Sequence, residues 1–485
     1  MGKTKGKLIY IILFFAFLVR LIGLNQSLWL DEAIGAIAAK NFTYTHLLTN
    51  FLKVDNHPPL YYLLLKFWTR IFGYSEISLR MPSVLFGVAT IYVVYLIARK
   101  ISQRRYIAYL AASFLSFSSF FIYYSQEARM YAMAAFFAAL AFYAFIKLLE
   151  KSENVWWAVF SASLTFLVFT DYMPIFLLPV FWIWSMYAKR TDHKWISKFV
   201  VSHLPIVGIG IFWLPIFLAQ KEGGAWLLAT VPNWRKIAGG ANLKEIILVW
   251  TKFVFGRISL VNKKMYYLLI FGASIPVVLS LLKALKPKRN VIVWMWFIIP
   301  MLGGLFASIF FPAFIYFRYL YIVPAFYLLI AMGIFGYKNK KVEAILIGLI
   351  IIFNILSWFI YIKDRTQQRE EWRQATEYVE SKGNKDNIAL FEYPDPFAPY
   401  RWYMKGRIEA RGVLDSIIVM DSNKVKSLVD DAVRNKKEVY HFEYLRDLSD
   451  QQRLVEERLR QDGFVVDSQN GDFVGVGIIT KWVRR

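Results

Sequence analysis

The adjacent pair Asp31-Glu32 follows Leu28-Trp29-Leu30 in a stretch, residues 1–361, that holds only twelve carboxylates. An acid placed beside apolar residues is costly, and such groups often serve as bases or cation ligands. The alternative is a charge that favours the start of a short helix, Asp31–Lys40, through the helix dipole. Asp55-Asn56-His57-Pro58-Pro59-Leu60-Tyr61-Tyr62 is the next cluster. The two prolines fix the backbone and open a helix, and His57 stands just ahead of its positive end, where an anion is favoured. An ordinary helix start with a solvated histidine has the same pattern.

Tyr123-Tyr124-Ser125-Gln126-Glu127-Ala128-Arg129-Met130-Tyr131 packs a carboxylate, a guanidinium and three phenols into one short connection. A plain Glu–Arg pair is the simpler reading. Phe311-Pro312 leads to a lone Arg318-Tyr319 at the start of a span. A guanidinium suits two-pronged phosphate recognition, and an interfacial arginine can equally snorkel. Arg20 and Arg80 are placed alike, and Arg80-Met81-Pro82 reads as a helix start. Together these clusters set acids, cations and phenols on one face of a membrane, an arrangement suited to chemistry on a lipid phosphate.

The elements that must carry them are membrane spans. Of 485 residues, 57% are hydrophobic, 18% aromatic and 19% charged, which excludes a disordered chain and a typical soluble enzyme. Apolar stretches predict eleven spans: 8–24, 78–98, 106–124, 130–149, 155–170, 173–188, 199–219, 265–285, 291–311, 319–336 and 342–361. The net charge of +24 resembles that of a nucleic-acid binder, but from Ile362 onward 22 Lys and Arg balance 22 Asp and Glu. The excess therefore belongs to the hydrophobic part, which points to topology and anionic membrane lipid, with no nucleic-acid partner. Lys3, Lys5 and Lys7, then basic loops near 99–105, 189–198, 283–289 and 338–341, fall on one side in an eleven-span count. That side is expected to be the cytoplasm, with the C-terminus outside the cell membrane. Lys3 to Lys7 precede an apolar run without a small-x-small cleavage site, so the first span is expected to be uncleaved; Gly2 with Gly6 is a poor myristoylation match.

Residues 1–361 thus form a transmembrane module with outer loops 25–77 and 220–264. Residues 362–485 form a small extracytoplasmic α/β domain. Its strands are predicted at 387–392, 417–420, 438–442, 464–467 and 473–480, with helices at 423–435 and 449–461. The chain has no cysteine, so disulfides, thiolate metal sites and thiol nucleophiles are excluded.

The order of these motifs resembles the GT-C glycosyltransferases, more narrowly the protein mannosyltransferase and aminoarabinose transferase group, glycosyltransferase family 39. The resemblance rests on Leu-Trp-Leu-Asp-Glu, His-Pro-Pro-Leu, Ser-Gln-Glu-Ala-Arg-Met-Tyr, Phe-Arg-Tyr-Leu-Tyr-Ile-Val-Pro and Glu371-Trp372-Arg373-Gln374-Ala375. It covers residues 1–375. It implies a mainly α membrane protein of GT-C fold, with about eleven transmembrane helices, amphipathic helices in the first outer loop and a small C-terminal α/β domain. It maps the family's catalytic acid onto Asp31, with Glu32 beside it and Glu127 as a further acid. His57 stands where aminoarabinose transferases carry a phosphate-binding Lys. Arg318 looks like a further phosphate contact. The Trp-Trp-Asp motif of oligosaccharyltransferases is missing, which argues against asparagine glycosylation.

The expected reaction moves a sugar, a hexose or pentose, from a polyprenyl-phosphate donor to a lipid, protein or glycan acceptor, with inversion. Asp31 would be the base, and His57, Arg129, Arg318 and Arg80 would hold the phosphate. Asp55, Tyr124, Tyr131 and Tyr319 would line the acceptor side. A divalent metal near Asp31 and Glu127 is compatible with this chemistry, though ligand spacing does not demand one. The rival readings are a flippase or transporter of lipid-linked sugars, a surface polysaccharide polymerase, and an anchor for the soluble tail. Transporters favour midplane ionisable groups and repeated halves, and the sequence has neither pattern.

Overall fold

The computed structural model describes residues 7–485, the side chains of residues 236 and 237 apart. Gly2, Lys3, Lys5 and Gly6 lie outside the described residues. The chain forms two compact units. The first comprises residues 1–24, 42–225 and 235–367; the second comprises 25–41, 226–234 and 368–485. The second unit thus takes in parts of both outer loops.

Among the described residues of the first unit, seven helical segments are long and apolar enough to cross a membrane. They are Glu76–Ser102, Tyr131–Glu150, His193–Thr230, Lys263–Ala284, Lys288–Phe310, Tyr316–Ile334 and Lys340–Lys363. Arg105–Phe117 and Ser119–Ser125, bent by 62°, make an eighth if read as one broken span. Shorter apolar helices stand at Leu8–Leu21, Asn154–Val168 and Met173–Lys189. Helices therefore stand at all eleven expected places, but length and composition alone admit seven or eight as spans. Tyr316–Ile334 is the most enclosed of them, its apolar side chains facing protein on almost every side.

The helix carrying Arg80 starts earlier than the Arg-Met-Pro pattern implies. Ser75 accepts from the Ser78 amide and caps the helix at Glu76, which leaves Pro82 inside it. The His-Pro-Pro segment does open a helix, Leu60–Phe72, with Pro59 as its cap. That helix buries Tyr61, Tyr62, Leu65 and Thr69 but exposes Phe67, Ile71 and Phe72. An amphipathic helix with an outward apolar face suits the membrane interface.

The second unit is built on a five-stranded sheet, ordered β2-β1-β3-β5-β4. The strands are β1 (Asn387–Phe391), β2 (Glu409–Gly412), β3 (Glu438–Phe442), β4 (Phe464–Asn470) and β5 (Ile479–Arg484). β1 runs parallel to β2 and β3, while β5 is antiparallel to β3 and β4. Side chains alternate across the sheet. Ile388, Leu390 and Val439 enter one core layer; Ala389, Phe391, Tyr440 and Phe442 enter the other. Both faces of the parallel strands are covered, as parallel pairing favours.

Two expected strands are displaced. The apolar run 417–420 is a bend, because the Asp415 carboxylate accepts from the amides of Met420 and Asp421 and curls the chain. The run 473–480 becomes a strand only from Ile479, because Gly475 and Gly477 adopt φ of +76° and +81°, where the backbone turns.

Candidate active site

In the first unit, the loop around His57 is pinned before any charge is considered. Gln220 Nε2 reaches the carbonyls of Leu52, Asp55 and His57 at 2.5, 2.7 and 3.0 Å. The Gln220 carbonyl accepts from Tyr172, which accepts from Trp213. The Leu60 amide donates to Phe169. Asp55 and His57 therefore sit on a loop held from distant helices.

A continuous polar chain runs through this loop. His57 Nδ1 lies 2.7 Å from Asp55 Oδ1, and Tyr62 donates to Asp55 Oδ2 at 3.0 Å. Arg129 donates to the Tyr62 hydroxyl at 3.1 Å and lies 3.2 Å from His57 Nε2. A guanidinium only donates, so His57 Nε2 accepts and the ring's proton sits on Nδ1, facing Asp55. In this arrangement Arg129 carries the positive charge and His57 links it to Asp55. Burial pushes the Asp55 carboxyl up, but His57, Arg129 and Tyr62 outweigh it and hold it below its usual range.

The 126–130 connection is equally fixed. Gln126 Nε2 donates to the carbonyls of Arg20 and Ile22, and Ser83 donates to the Arg129 carbonyl. Glu127 and Arg129 are both buried. Arg80, also buried, donates to the Leu24 carbonyl at 2.9 Å. Arg20 is wholly enclosed; it donates to Ala16 and Ser116 carbonyls and faces the Phe121 ring.

Phenols and phenyl rings gather beside this connection. Tyr124 meets Tyr123 at 5.1 Å, Tyr131 at 5.5 Å and Phe317 at 6.2 Å, centroid to centroid. Two cations that sequence reasoning missed enter here. Arg257 lies over the Tyr123 ring at 4.6 Å, within electrostatic reach of Tyr124, Tyr316 and Glu127. Lys252 lies over Tyr316 at 5.9 Å and donates to the Ile258 carbonyl at 3.0 Å. Its helix, Leu243–Phe255, is outside the candidate spans. Burial first, then repulsion from Arg257 and Lys263, pushes the Lys252 ammonium down to about 8. Their signal in the sequence was the Lys-x-x-x-x-Arg spacing within the 220–264 connection, ahead of an apolar helix.

Arg318 is half-buried, and among the described residues its side chain has no hydrogen-bond partner. Tyr319 lies in the packing interior. Its hydroxyl fills the notch left by Gly304, where an added Cβ would overlap it, and its ring stacks on Tyr321 and meets Phe314 at a tilt.

Asp31 and Glu32 lie in the second unit, on Leu30–Asn41. The segment before them is stitched to that unit. Leu28 donates to the Tyr403 hydroxyl at 2.8 Å, and the amides of Arg369 and Arg373 donate to Gln26 and Ser27. Lys40 lies over the Trp402 ring, and Leu30 packs against the core layer containing Trp372. Glu32 is fully buried and Asp31 half-buried. Glu370, which sequence reasoning passed over, lies within electrostatic reach of Asp31. Among the described residues, no three His, Asp or Glu side chains converge as metal ligands.

The elements and their order define a multi-pass membrane protein with the GT-C fold. ArnT of Cupriavidus metallidurans, solved with undecaprenyl phosphate, superposes with a TM-score of 0.59 at 12% identity, covering 98% of this chain and 97% of that one. The oligosaccharyltransferase AglB of Archaeoglobus fulgidus, solved with an inhibitory peptide and a dolichol-phosphate, gives 0.52 at 13% identity, covering 96% and 73%.

Within that class, residues 56–218 match the family described as dolichyl-phosphate-mannose-protein mannosyltransferase. A protein of Aquifex aeolicus (strain VF5), described only as uncharacterized, is 27% identical over 201 residues. That match spans 41% of this chain and 40% of the relative's length.

Proposed function

We propose that the protein is an integral membrane glycosyltransferase that moves a sugar from a polyprenyl-phosphate carrier to an acceptor at the outer membrane face. The observation that carries this reading is the cation–phenol cluster of the first unit. Arg129 and Lys252 are buried and Arg257 is half-buried, and Arg257 and Lys252 lie over the Tyr123 and Tyr316 rings, an environment that strengthens their pull on a phosphate. The GT-C fold and the mannosyltransferase match support the same donor class.

In the reaction, the acceptor hydroxyl gives its proton to the Asp31 carboxylate while its oxygen bonds to the anomeric carbon. The bond from that carbon to the phosphate oxygen breaks, and the electron pair leaves with the carrier phosphate. One displacement inverts the carbon. Arg129, Arg257, Lys252 and Arg318 offset the charge that grows on the leaving oxygen. His57, between Asp55 and Arg129, fixes the Arg129 fork, and Arg80 and Glu127 complete the polar wall. Glu32, buried, orients the Asp31 helix. Tyr124 and Tyr131 face the sugar or its acceptor.

Residues 1–361 serve as the catalytic membrane module, with the N-terminus in the cytoplasm, and residues 362–485 lie outside. Cysteines placed singly at the exposed positions 340 and 451 are clean reporters, because the chain has none of its own. An impermeant thiol reagent should label 451 and spare 340 in intact cells; the reverse overturns the topology. Transfer from a polyprenyl-phosphate sugar should occur in purified protein and collapse in Arg257→Ala. Sugar translocation without transfer would sink the enzyme reading.

A further inference from the structure

In the second unit, the helix Trp372–Glu380 lies on one face of the sheet, where Trp372, Ala375 and Val379 meet Ala389, Phe391 and Phe442. Side chains two apart in a strand share a face. Two residues back along β1 and β3 stand Asn387 and Glu438, and two on from Ile479 along β5 stands Lys481, opposite Tyr440. The face thus turns polar where the helix stops. A cavity of about 420 Å³ opens there, with Tyr378, Lys382 and Asn384 as its wall and the sheet as its floor. Small-molecule sites span roughly 300–1,000 Å³.

The floor is set in advance. The Glu438 carboxylate accepts from Asn387 Nδ2 at 3.0 Å and from the Tyr440 hydroxyl at 3.2 Å, and Lys481 Nζ stands 3.0 Å from its other oxygen. Asn387 and Tyr440 are buried and hold that carboxylate in place. Asn387 Nδ2 also donates to the Lys382 carbonyl at 2.8 Å, which ties wall to floor. An ionised carboxylate has about four lone-pair sites, so Glu438 keeps accepting capacity. Asp467, on the bulge of β4, lies 3.5 Å from Lys481 and is exposed. Among the described residues, the exposed Lys382 ammonium has no hydrogen-bond partner.

The lining selects its ligand by exclusion. Lys382 and Lys481 balance Glu438 and Asp467, so the cavity has no net pull on a phosphate or a polyanion. Its polar floor does not suit a lipid chain. Donors and acceptors interleave, which matches hydroxyl groups, since each can both donate and accept. Tyr378, half-buried and tilted against Phe473 at 5.6 Å, offers a ring for an apolar CH face. We propose that this groove binds an uncharged saccharide. It does not depend on Asp31 acting as a base or on any sugar being transferred.

The test is saturation-transfer NMR on the full-length protein in nanodiscs, with linear trisaccharides of mannose, glucose, galactose and N-acetylglucosamine as probes. At least one should take up saturation. Tyr378→Ala, Lys382→Ala and Asp467→Ala should each weaken its binding about fivefold or more, the scale of one lost contact. If Tyr378→Ala does not fold, the two exposed positions carry the test. Asp31→Asn should bind the trisaccharide as wild type does, whether or not it transfers sugar. No saturation of any of the four probes overturns the proposal. So does binding that is unchanged in all folded groove variants, or that is lost in Asp31→Asn, because the signal then comes from another site. Phosphate that displaces the trisaccharide at equal concentration overturns the uncharged ligand.

Discussion

Asp55 in the first unit and Glu370 in the second are both carboxylates taken out of water, and they move in opposite directions. Burial pushes each up. Asp55 is pulled back below its usual range by His57, Arg129 and Tyr62. Glu370 keeps the rise, to about 7, because its donors are the Trp372 indole and the Tyr444 phenol and its charged neighbour is the acid Asp31. The lesson concerns division of labour. The first unit sets its acid within reach of a guanidinium, which favours the ionised form. The second unit sets acid beside acid, which favours the protonated form.

Asp31→Asn is the strongest way to break that comparison. It keeps the shape and removes the proposed base, so turnover should fall by roughly 10²–10⁴, the usual scale of general-base catalysis. The donor KM should hold. Glu32→Gln should cost less turnover, since Glu32 is buried within the helix packing. Rate measurements on both variants decide it: a large loss in Glu32→Gln alone moves the base by one residue.

Arg257→Ala and Arg318→Ala sharpen the other half. Each removes a charge-assisted partner worth about 1.5–3 kcal/mol if it touches the phosphate. The donor KM should then rise about 10- to 100-fold, with Lys rescuing only in part because it lacks the planar fork. Donor titration checks this. A KM unchanged in folded Arg257→Ala takes that residue off the phosphate.

The contrast between the units also explains what was legible in the sequence. Apolar runs marked helices at all eleven places, and the Asp-Glu, His-Pro-Pro and Gln-Glu-Ala-Arg clusters were visible because rare charges stand out in an apolar chain. The strands 438–442 and 464–467 were visible as β-branched and aromatic runs. Arg257 and Lys252 were hidden because a cation in a loop is ordinary until a ring lies beneath it. Glu370 was hidden because residues 362–485 carry so many charges that one more acid gives no signal; its setting comes from Tyr444, 74 positions later in the chain, and Trp372. The bend at 417–420 and the late start of β5 depended on a side-chain cap and two left-handed glycines, which apolar patterning does not record.

Glu370→Gln should change how stability depends on pH. The folded pKa of about 7 lies above the usual 4.5, so the folded state holds a proton that the unfolded state has already lost. The stability this contributes is complete below about pH 4.5 and is lost as pH rises to 7 and beyond. Glutamine cannot ionise. The Tm of Glu370→Gln relative to wild type should therefore climb between pH 5 and 8, read by thermal unfolding in one detergent. A difference that stays flat with pH means Glu370 is solvated.

The smallest expected effect tests the first unit by its own titration. Lys252 loses its proton near pH 8 because burial, Arg257 and Lys263 all disfavour its charge. A sugar linked to a lipid through a phosphodiester keeps a single charge across this range. If Lys252 helps hold it, the donor KM should rise about 2- to 5-fold between pH 7 and 9, as one ionic contact is lost. Lys252→Arg should hold the KM low across the range, since a guanidinium stays protonated. Lys252→Gln should hold it high and flat. Folding stability must move the opposite way over the same window. The unfolded chain binds this proton up to about 10.5 and the folded one only to about 8, so stability rises with pH from 8 toward 10.5. Weaker donor binding together with a higher Tm above pH 8, both abolished in Lys252→Gln, would fix the charge of Lys252 at the phosphate. A wild-type KM that is flat across pH 8 would leave Arg129, Arg257 and Arg318 to hold the anion without it.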